Sequence, residues 1–360
     1  MKKIEIDKKN FLEICNINHG VYHPLKNFMN KEDIMSVSSE MKMKNGIFFP
    51  LPIYLIINNK FEKKCAEKNT IKIYYKNQRV CDFLIEKIFK LTLNEKRQLG
   101  KLIYKTTSKK HPGYLFFLNE NGTYLSGKIT NFNKNSIKKI NFSMPTKIRD
   151  KLKHFKKVAG FHTRNIPHRG HEWIHSLGKK KCNNILIQPI VGHFKSGEYS
   201  EEAIIKANKT LVVKKNKLFK NKKLLPKYYF SFINLQPKYA GPREALFHAL
   251  IRKNYGCTHF LVGRDHAGYK NFYRKYDSQK LCKKYEKKLN IKIIKFISPK
   301  ICLVCKSITN DKCKCDSRLK KLIDINGSEI RNLIKEKKEI PNYLIEKKLF
   351  KNINIKKLLH

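Results

Sequence analysis

Beyond about Phe155 the chain alternates short apolar runs with longer amphipathic stretches. VAGFH, NILIQPIV, YYFSFINL, THFLVG and IKIIKFI have the length and the β-branched or aromatic content of buried strands. Helix-period segments lie between them near 169–180, 200–210, 242–254 and 277–289. That alternation predicts a mostly parallel sheet covered by helices. Residues 1–150 have a different texture. FFPLPIYLII (48–57), TIKIYYK (70–76) and YLFFL (114–118) predict strands, and Asn45-Gly46 and Asn121-Gly122 predict turns, so this part is expected to be β-rich. No internal repeat is visible, and the low-complexity KKNKLFKNKK (214–223) predicts a solvated loop. A helical tail is expected from about Glu329. The organisation is then a β-rich domain over 1–150, an α/β domain over 151–322 and a helical subdomain over 323–360.

Composition narrows the class. The chain has 360 residues and is 41% hydrophobic, enough for more than one core and against wholesale disorder. No apolar run approaches the roughly 18 residues of a membrane span. The longest candidate, Phe48 to Ile57, contains two prolines. The start, MKKIEIDKKN, lacks an apolar signal core, so a cytoplasmic location is expected. The net charge of +51 would suit a polyanion, but the basic residues are spread along the whole chain together with abundant asparagine and isoleucine. That distribution points to composition, and no specific nucleic acid or membrane partner is expected; the field would still draw in small anions. Self-association is compatible with such a chain. Six of the ten cysteines (Cys15, Cys65, Cys81, Cys182, Cys257 and Cys282) are isolated and read as small core residues. The other four, Cys302-x2-Cys305-x7-Cys313-x-Cys315, form a cluster suited to a closed, tetrahedral structural Zn²⁺ site.

Two segments carry candidate chemistry. In VAGFHTRNIPHRGHE (158–172) a strand is expected to end near His162 and a helix to begin close to Arg169. His168 and His171, three apart, would share a face of the first turn, where unpaired N–H groups suit a phosphate chain. Gly170 would let the ligand approach the backbone. An H-x-x-H alone fits a structural or metal-binding pair equally well, but at a strand-to-helix turn, as His-Arg-Gly-His, it resembles the HIGH signature of adenylyl-transferring enzymes. The second segment, YAGPREALFHALIRKNYGCTHFLVGRDHAG (239–268), predicts a helix opened by Gly241-Pro242 and then a strand. That strand delivers Gly263, Arg264, Asp265, His266 and Ala267 at its carboxyl end, where open α/β sheets bind ligands.

Together these segments resemble the ATP sulfurylase (sulfate adenylyltransferase) family, which carries Gln-Thr-Arg-Asn-Pro-x-His-x-x-His, Tyr-Ala-Gly-Pro-Arg-Glu-Ala and Gly-Arg-Asp-His-Ala-Gly. HPLKNFMNKED (23–33), NGIFFPLPIYL, His111-Pro112-Gly113, QPIVGHFKSGEY (188–199) and Ile325-Asn-Gly-Ser-Glu-Ile-Arg331 are similar to further family stretches, so the likeness spans the chain. It implies an α/β, multi-domain architecture: a PUA-like amino-terminal domain, a Rossmann-like HIGH-type nucleotidyltransferase domain and a small helical tail. It implies the reaction of ATP and sulfate to adenylyl sulfate and pyrophosphate, by direct attack of sulfate on the α-phosphorus. Thr163, Arg164 and Asn165 would then hold sulfate and the α-phosphate, and His168 and His171 the leaving pyrophosphate. Arg264 and His266, in the Gly263–Ala267 stretch, would surround the nucleotide, and the Ala267 N–H would add a donor to sulfate. Mg²⁺ would arrive with ATP, and some bacterial members hold zinc at the cysteine position through three cysteines and a histidine. Adenylyl sulfate would pass to a separate kinase or reductase, because no Gly-x-x-x-x-Gly-Lys-Ser/Thr motif follows. The chain departs from the family pattern at His162, where the family has its sulfate-contacting glutamine, and at Ile166, Pro237-Lys238 and the Lys206/Lys209 stretch. The change at His162 keeps open a related adenylyltransferase with another oxyanion or an acidic acceptor. A non-enzymatic RNA binder would leave the ATP motifs without a purpose.

Overall fold

The computed structural model describes residues 3–192, 197–218, 227–310, 313, 315, 321–325, 327–346 and 358–359. In chain order the early elements are β1 (Lys3–Glu5), α1 (Lys8–Asn18), α2 (Lys31–Glu40), β2 (Leu55–Ile57), α3 (Glu62–Ala66), β3 (Thr70–Tyr75), β4 (Gln78–Phe89), α4 (Leu93–Tyr104), α5 (Pro112–Asn119), β5 (Thr123–Thr130) and α6 (Pro145–Leu152). Then come β6 (Val158–Thr163), α7 (Arg169–Lys179), β7 (Asn184–Val191), α8 (Glu201–Lys217), β8 (Tyr228–Phe230), β9 (Ile233–Asn234), α9 (Pro242–Asn254), β10 (His259–Val262), α10 (Asp277–Leu289) and β11 (Lys292–Lys295). Last are β12 (Lys300–Cys302), β13 (Ile308–Thr309), β14 (Leu322–Asp324) and α11 (Gly327–Lys335). Two compact units result. The first takes Met1–Asp150, Gln236–Tyr255 and Asp265–Asn290; the second takes Lys151–Leu235, Gly256–Arg264 and Ile291–His360.

The first unit holds a five-stranded sheet in the order β1-β3-β4-β5-β2, antiparallel except for β1 against β3. It is mixed rather than β-rich, because helices with clear caps fill the intervals. Asp7 accepts from the Asn10 N–H at the start of α1, and Thr92 and Glu95 close a capping box on α4. The apolar YLFFL is a helix, not a strand. Pro112 stands at the first turn of α5, the His111 ring accepts from the Tyr114 N–H at 3.0 Å, and Tyr114 and Phe117 are buried at helical spacing. Within FFPLPIYLII only Leu55–Ile57 forms a strand; Pro50 and Pro52 have no N–H to give a ladder. Asn45-Gly46 does turn, with Gly46 at φ +87° and its N–H donating to Met43 O. α9 and α10 pack along each other in this unit. α9 is buried almost all round, with Phe247 against Tyr22 and Phe49.

The second unit is built on a sheet ordered β11-β10-β6-β7-β8, parallel at every pairing, with β9 continuing along β7. β7 is buried at all positions, polar Asn184 and Gln188 included, as expected of an inner strand of a parallel sheet. α7 and α8 pack on β6, β7 and β8 over a core that includes Phe161, Ile185, Ile187, Leu211 and Leu261. α8 runs on to Lys217, so Lys214–Lys217 are its last turn rather than loop, and basic residues there suit the carboxyl-end dipole. Positions 219–223 of that expected loop lie outside the described residues, as do 193–196 of the QPIVGHFKSGEY stretch and 347–357 of the tail. The tail's helix, α11, begins at Gly327, and β13-β12-β14 form a small antiparallel sheet just before it. Chain order in the main sheet reverses at β6. β7 and β8 follow on one side, β10 and β11 on the other, which puts the switch point between β6 and β10. Among the described residues no helix is long and apolar enough to cross a membrane.

Candidate active site

The carboxyl ends of β6 and β10 lie side by side, since the two strands pair in parallel through Ala159 with His259 and Gly160 with Phe260. Crevices of open α/β sheets form at this kind of switch point. β6 delivers His162 and the buried Thr163; β10 delivers Gly263 and Arg264. The Thr163 hydroxyl accepts from the Asn165 N–H at 3.0 Å and so shapes the turn out of the strand. Asn165 is fastened on two sides. Its Oδ1 accepts from Arg331 Nη1 at 2.7 Å, and its carbonyl accepts from Asn208 Nδ2 at 3.2 Å. Ile166 is buried in the cluster that also holds Tyr199, Ile325 and Ile330, so an apolar core residue stands at the family's proline position.

α7 then starts on His168, whose Nδ1 accepts from the His171 N–H at 3.3 Å. Because Nδ1 accepts, the ring's one proton sits on Nε2, which is left as a donor. The His168 and His171 rings stack with centroids 3.6 Å apart. Both are buried, and desolvation pushes His168 down to about 3 and His171 well below its ordinary range. These are neutral imidazoles at neutral pH. The space that a side chain at position 170 would need is filled by the His168 ring and Pro299, each about 3 Å from such a Cβ, so Gly170 makes room for the imidazole rather than for a ligand. A third histidine on this face, His175, went unmarked in the sequence. It is fully buried, edge-on to Phe161 at 4.4 Å and pushed down to about 3 by burial, with neither ring nitrogen hydrogen-bonded among the described residues.

His171-Glu-Trp-Ile-His175 has the H-E-x-x-H spacing of zinc hydrolases, yet the geometry turns that reading away. Glu172 is bound by Arg169 at 3.2 Å and by Lys215, so it is not poised as a base. Arg169 also gives its backbone N–H to Leu344 O at 2.8 Å, which ties the start of α7 to the tail.

Asp265, His266 and Ala267 belong to the first unit. Asp265–Gly268 closes as a turn, with the Gly268 N–H donating to Asp265 O at 3.0 Å and Ala267 at φ +57°. Ser278 Oγ donates to His266 O at 2.7 Å, and His266 Nε2 lies 3.2 Å from His248 Nδ1 on α9. His248 is a partner that the sequence reading passed over inside a helix-forming run. Much of the Tyr239–Ala245 motif is structural. The Glu244 carboxylate accepts from the N–H groups of Lys238 at 2.8 Å and Ala240 at 3.0 Å, and Arg243 donates to Val37 O and Ser38 O.

The four clustered cysteines do converge. All four sulfurs lie within 4.8 Å of one another, and Cys302 Sγ is 3.7 Å from Cys315 Sγ. Four thiolates at about 2.3 Å around a tetrahedral zinc stand about 3.8 Å apart, so the donor set fits that ion. Backbone N–H groups of Cys305 and Val304 hold the Cys302 thiol below its ordinary range, and hydrogen bonds from Ser307 bring Cys305 to about 6.

A PUA-like domain model matches residues 1–134, and the ATP-sulfurylase family model matches residues 141–355. The class is therefore that of a nucleotidyltransferase-type enzyme with an α/β domain behind a PUA-like one. The chain belongs to the ATP-sulfurylase family. It is 31% identical over 350 residues to a sulfate adenylyltransferase of Ignicoccus hospitalis, covering 96% of this chain and 88% of that one. It is likewise 31% identical over 354 residues to a sulfate adenylyltransferase of Pyrococcus abyssi, covering 98% and 89%. Among solved structures it is similar to one titled "Hexameric APS kinase from Thiobacillus denitrificans", with a TM-score of 0.65 over 96% of this chain. At 15% identity that likeness is one of fold, and this chain spans 61% of that protein.

Proposed function

We propose that the protein is a sulfate adenylyltransferase that converts ATP and sulfate to adenylyl sulfate and pyrophosphate. The observation that carries this reading is the switch point between β6 and β10, where Thr163–Asn165 and Gly263–Arg264 leave adjacent strands of one sheet. The sheet is read as Rossmann-like and His168–His171 as its HIGH-type pair. Arg164 clamps the oxyanion through its planar fork of donors. Thr163 and Asn165 hold the loop and orient sulfate against the α-phosphate. A sulfate oxygen attacks the α-phosphorus in line, the bond to the β-phosphate oxygen breaks, and pyrophosphate leaves. His168 stabilises the leaving group as a neutral donor from Nε2, and His171 sits beside it. Arg264 and His266, with Gly263 and Asp265, bind the nucleotide. No covalent intermediate is involved, so the protein contributes positioning and charge stabilisation. Mg²⁺ enters on the phosphates of ATP, and zinc on the four cysteines is structural. A kinase or reductase that consumes adenylyl sulfate completes the reading.

His162 favours a second reading, a related enzyme with a different oxyanion, because a few placed donors set specificity. ATP formation from adenylyl sulfate and pyrophosphate tests the first. Wild type is expected to form ATP, and Arg164→Ala to lose roughly a hundredfold or more of that rate. A folded wild type that binds ATP and makes none sinks the sulfate assignment; oxyanion-dependent pyrophosphate release with other anions then tests the second.

A further inference from the structure

Asn165 leaves β6 and Arg331 sits on α11, and they meet within the second unit. An amide's two ends are hard to tell apart by shape, but an arginine carries donors only, so the atom facing Arg331 Nη1 at 2.7 Å is the oxygen. The guanidinium is itself placed over the Tyr199 ring, 5.8 Å from its centroid. Asn208 Nδ2 holds the Asn165 carbonyl at 3.2 Å and the Ile204 carbonyl at 2.8 Å, so the backbone under the amide is fixed as well. At the start of α11, Gly327 lies against the other edge of the amide and, having no side chain, leaves it room. A Cβ there would stand 2.8 Å from Asn165 Nδ2 and 3.1 Å from Cγ.

We propose that Arg331 is a positioning residue that locks the Asn165 amide so that its NH₂ group, not its oxygen, is presented to the oxyanion substrate. An oxyanion only accepts hydrogen bonds, so one orientation of the amide attracts it and the other repels it. Without Arg331 nothing in the contact chooses between them. The proposal rests on the functional reading above.

The test compares wild type, Arg331→Ala, Arg331→Lys and Asn165→Asp in ATP formation from adenylyl sulfate and pyrophosphate, with ATP binding measured separately. Arg331→Ala is expected to raise KM for adenylyl sulfate or lower kcat, by roughly ten- to a hundredfold in kcat/KM, with ATP affinity unchanged. Lysine should recover part of that loss. Asn165→Asp keeps a partner for Arg331 but loses the donor, so it should lose activity while its melting temperature holds or rises. That gain should vanish in the Arg331→Ala background. Wild-type kinetics in Arg331→Ala overturn the proposal, and so does a loss of ATP affinity as large as the loss of rate, which would put Arg331 on the nucleotide itself. A wild type that forms no ATP defeats the functional reading alone. The melting cycle then still decides the contact, and an Asn165→Asp protein whose stability is indifferent to Arg331 overturns it.

Discussion

A polyphosphate is usually met by cations, whereas His168 and His171 meet solvent-excluded surroundings as neutral rings. A neutral donor favours negative charge through its N–H dipole and needs no proton from solvent. Its charge state therefore does not change through the physiological range. Burial of this kind is also a stability statement. An unfolded histidine takes up a proton below about 6.5, while buried His175 does so only near 3. The folded pKa is depressed, so the stability is fully present above the unfolded value and is lost as pH falls through the window between the two. Each such histidine contributes a slope on the order of 1 kcal/mol per pH unit there. Urea unfolding at pH 7.5 and 5 should show wild type losing stability on acidification, and His175→Leu losing less by about one proton's worth. An unchanged slope in the variant would mean that His175 is solvated after all. At this scale the sequence marked candidate side chains but not the partners that hold them. Arg331 lay in a recognised stretch without a role, and His248 and His175 were hidden in helical runs where a histidine carries no signal of its own.

At the scale of elements, the parallel strands were legible because their runs are mostly apolar; NILIQPIV is β7 edge to edge, while YYFSFINL breaks into β8 and β9 and IKIIKFI keeps only Lys292–Lys295 as a strand. YLFFL was not legible. A five-residue apolar run has no period to distinguish strand from helix, and the deciding signals were His111 and Pro112 ahead of it. The small β13-β12-β14 sheet raises a different issue. Its strands are two or three residues long, too short to be stable by pairing alone. The thiolate cluster is what such a sheet needs, since ion binding contributes directly to folding. The purified protein is expected to carry about one zinc per chain. Cys302→Ser should remove most of it and lower the melting temperature, as metal analysis and calorimetry would show. A zinc-free wild type of equal stability would leave the cysteines as ordinary thiols.

For the whole molecule, the family models divide the chain once, between residues 134 and 141, while the fold divides it repeatedly. The unit that contains 1–150 also needs 236–255 and 265–290. α9 supplies Phe247 to its core and Asn254 to the carbonyls of Val21 and His23. A fragment of residues 1–150 is therefore expected to lack a cooperative melting transition that the full chain shows; a sharp transition in the fragment would mean that the early sheet stands by itself. Sequence texture placed one boundary near 150 because the strand–helix alternation begins there, and nothing local marks that a later helix returns to the first unit. The same interleaving governs how the protein is made. On the ribosome, the first unit cannot be finished when its own first 150 residues have emerged. At about 5–20 residues per second it waits roughly 7–28 s for residue 290. During that interval its apolar face has no partner from the same chain, and a nascent-chain chaperone would find its longest opportunity there.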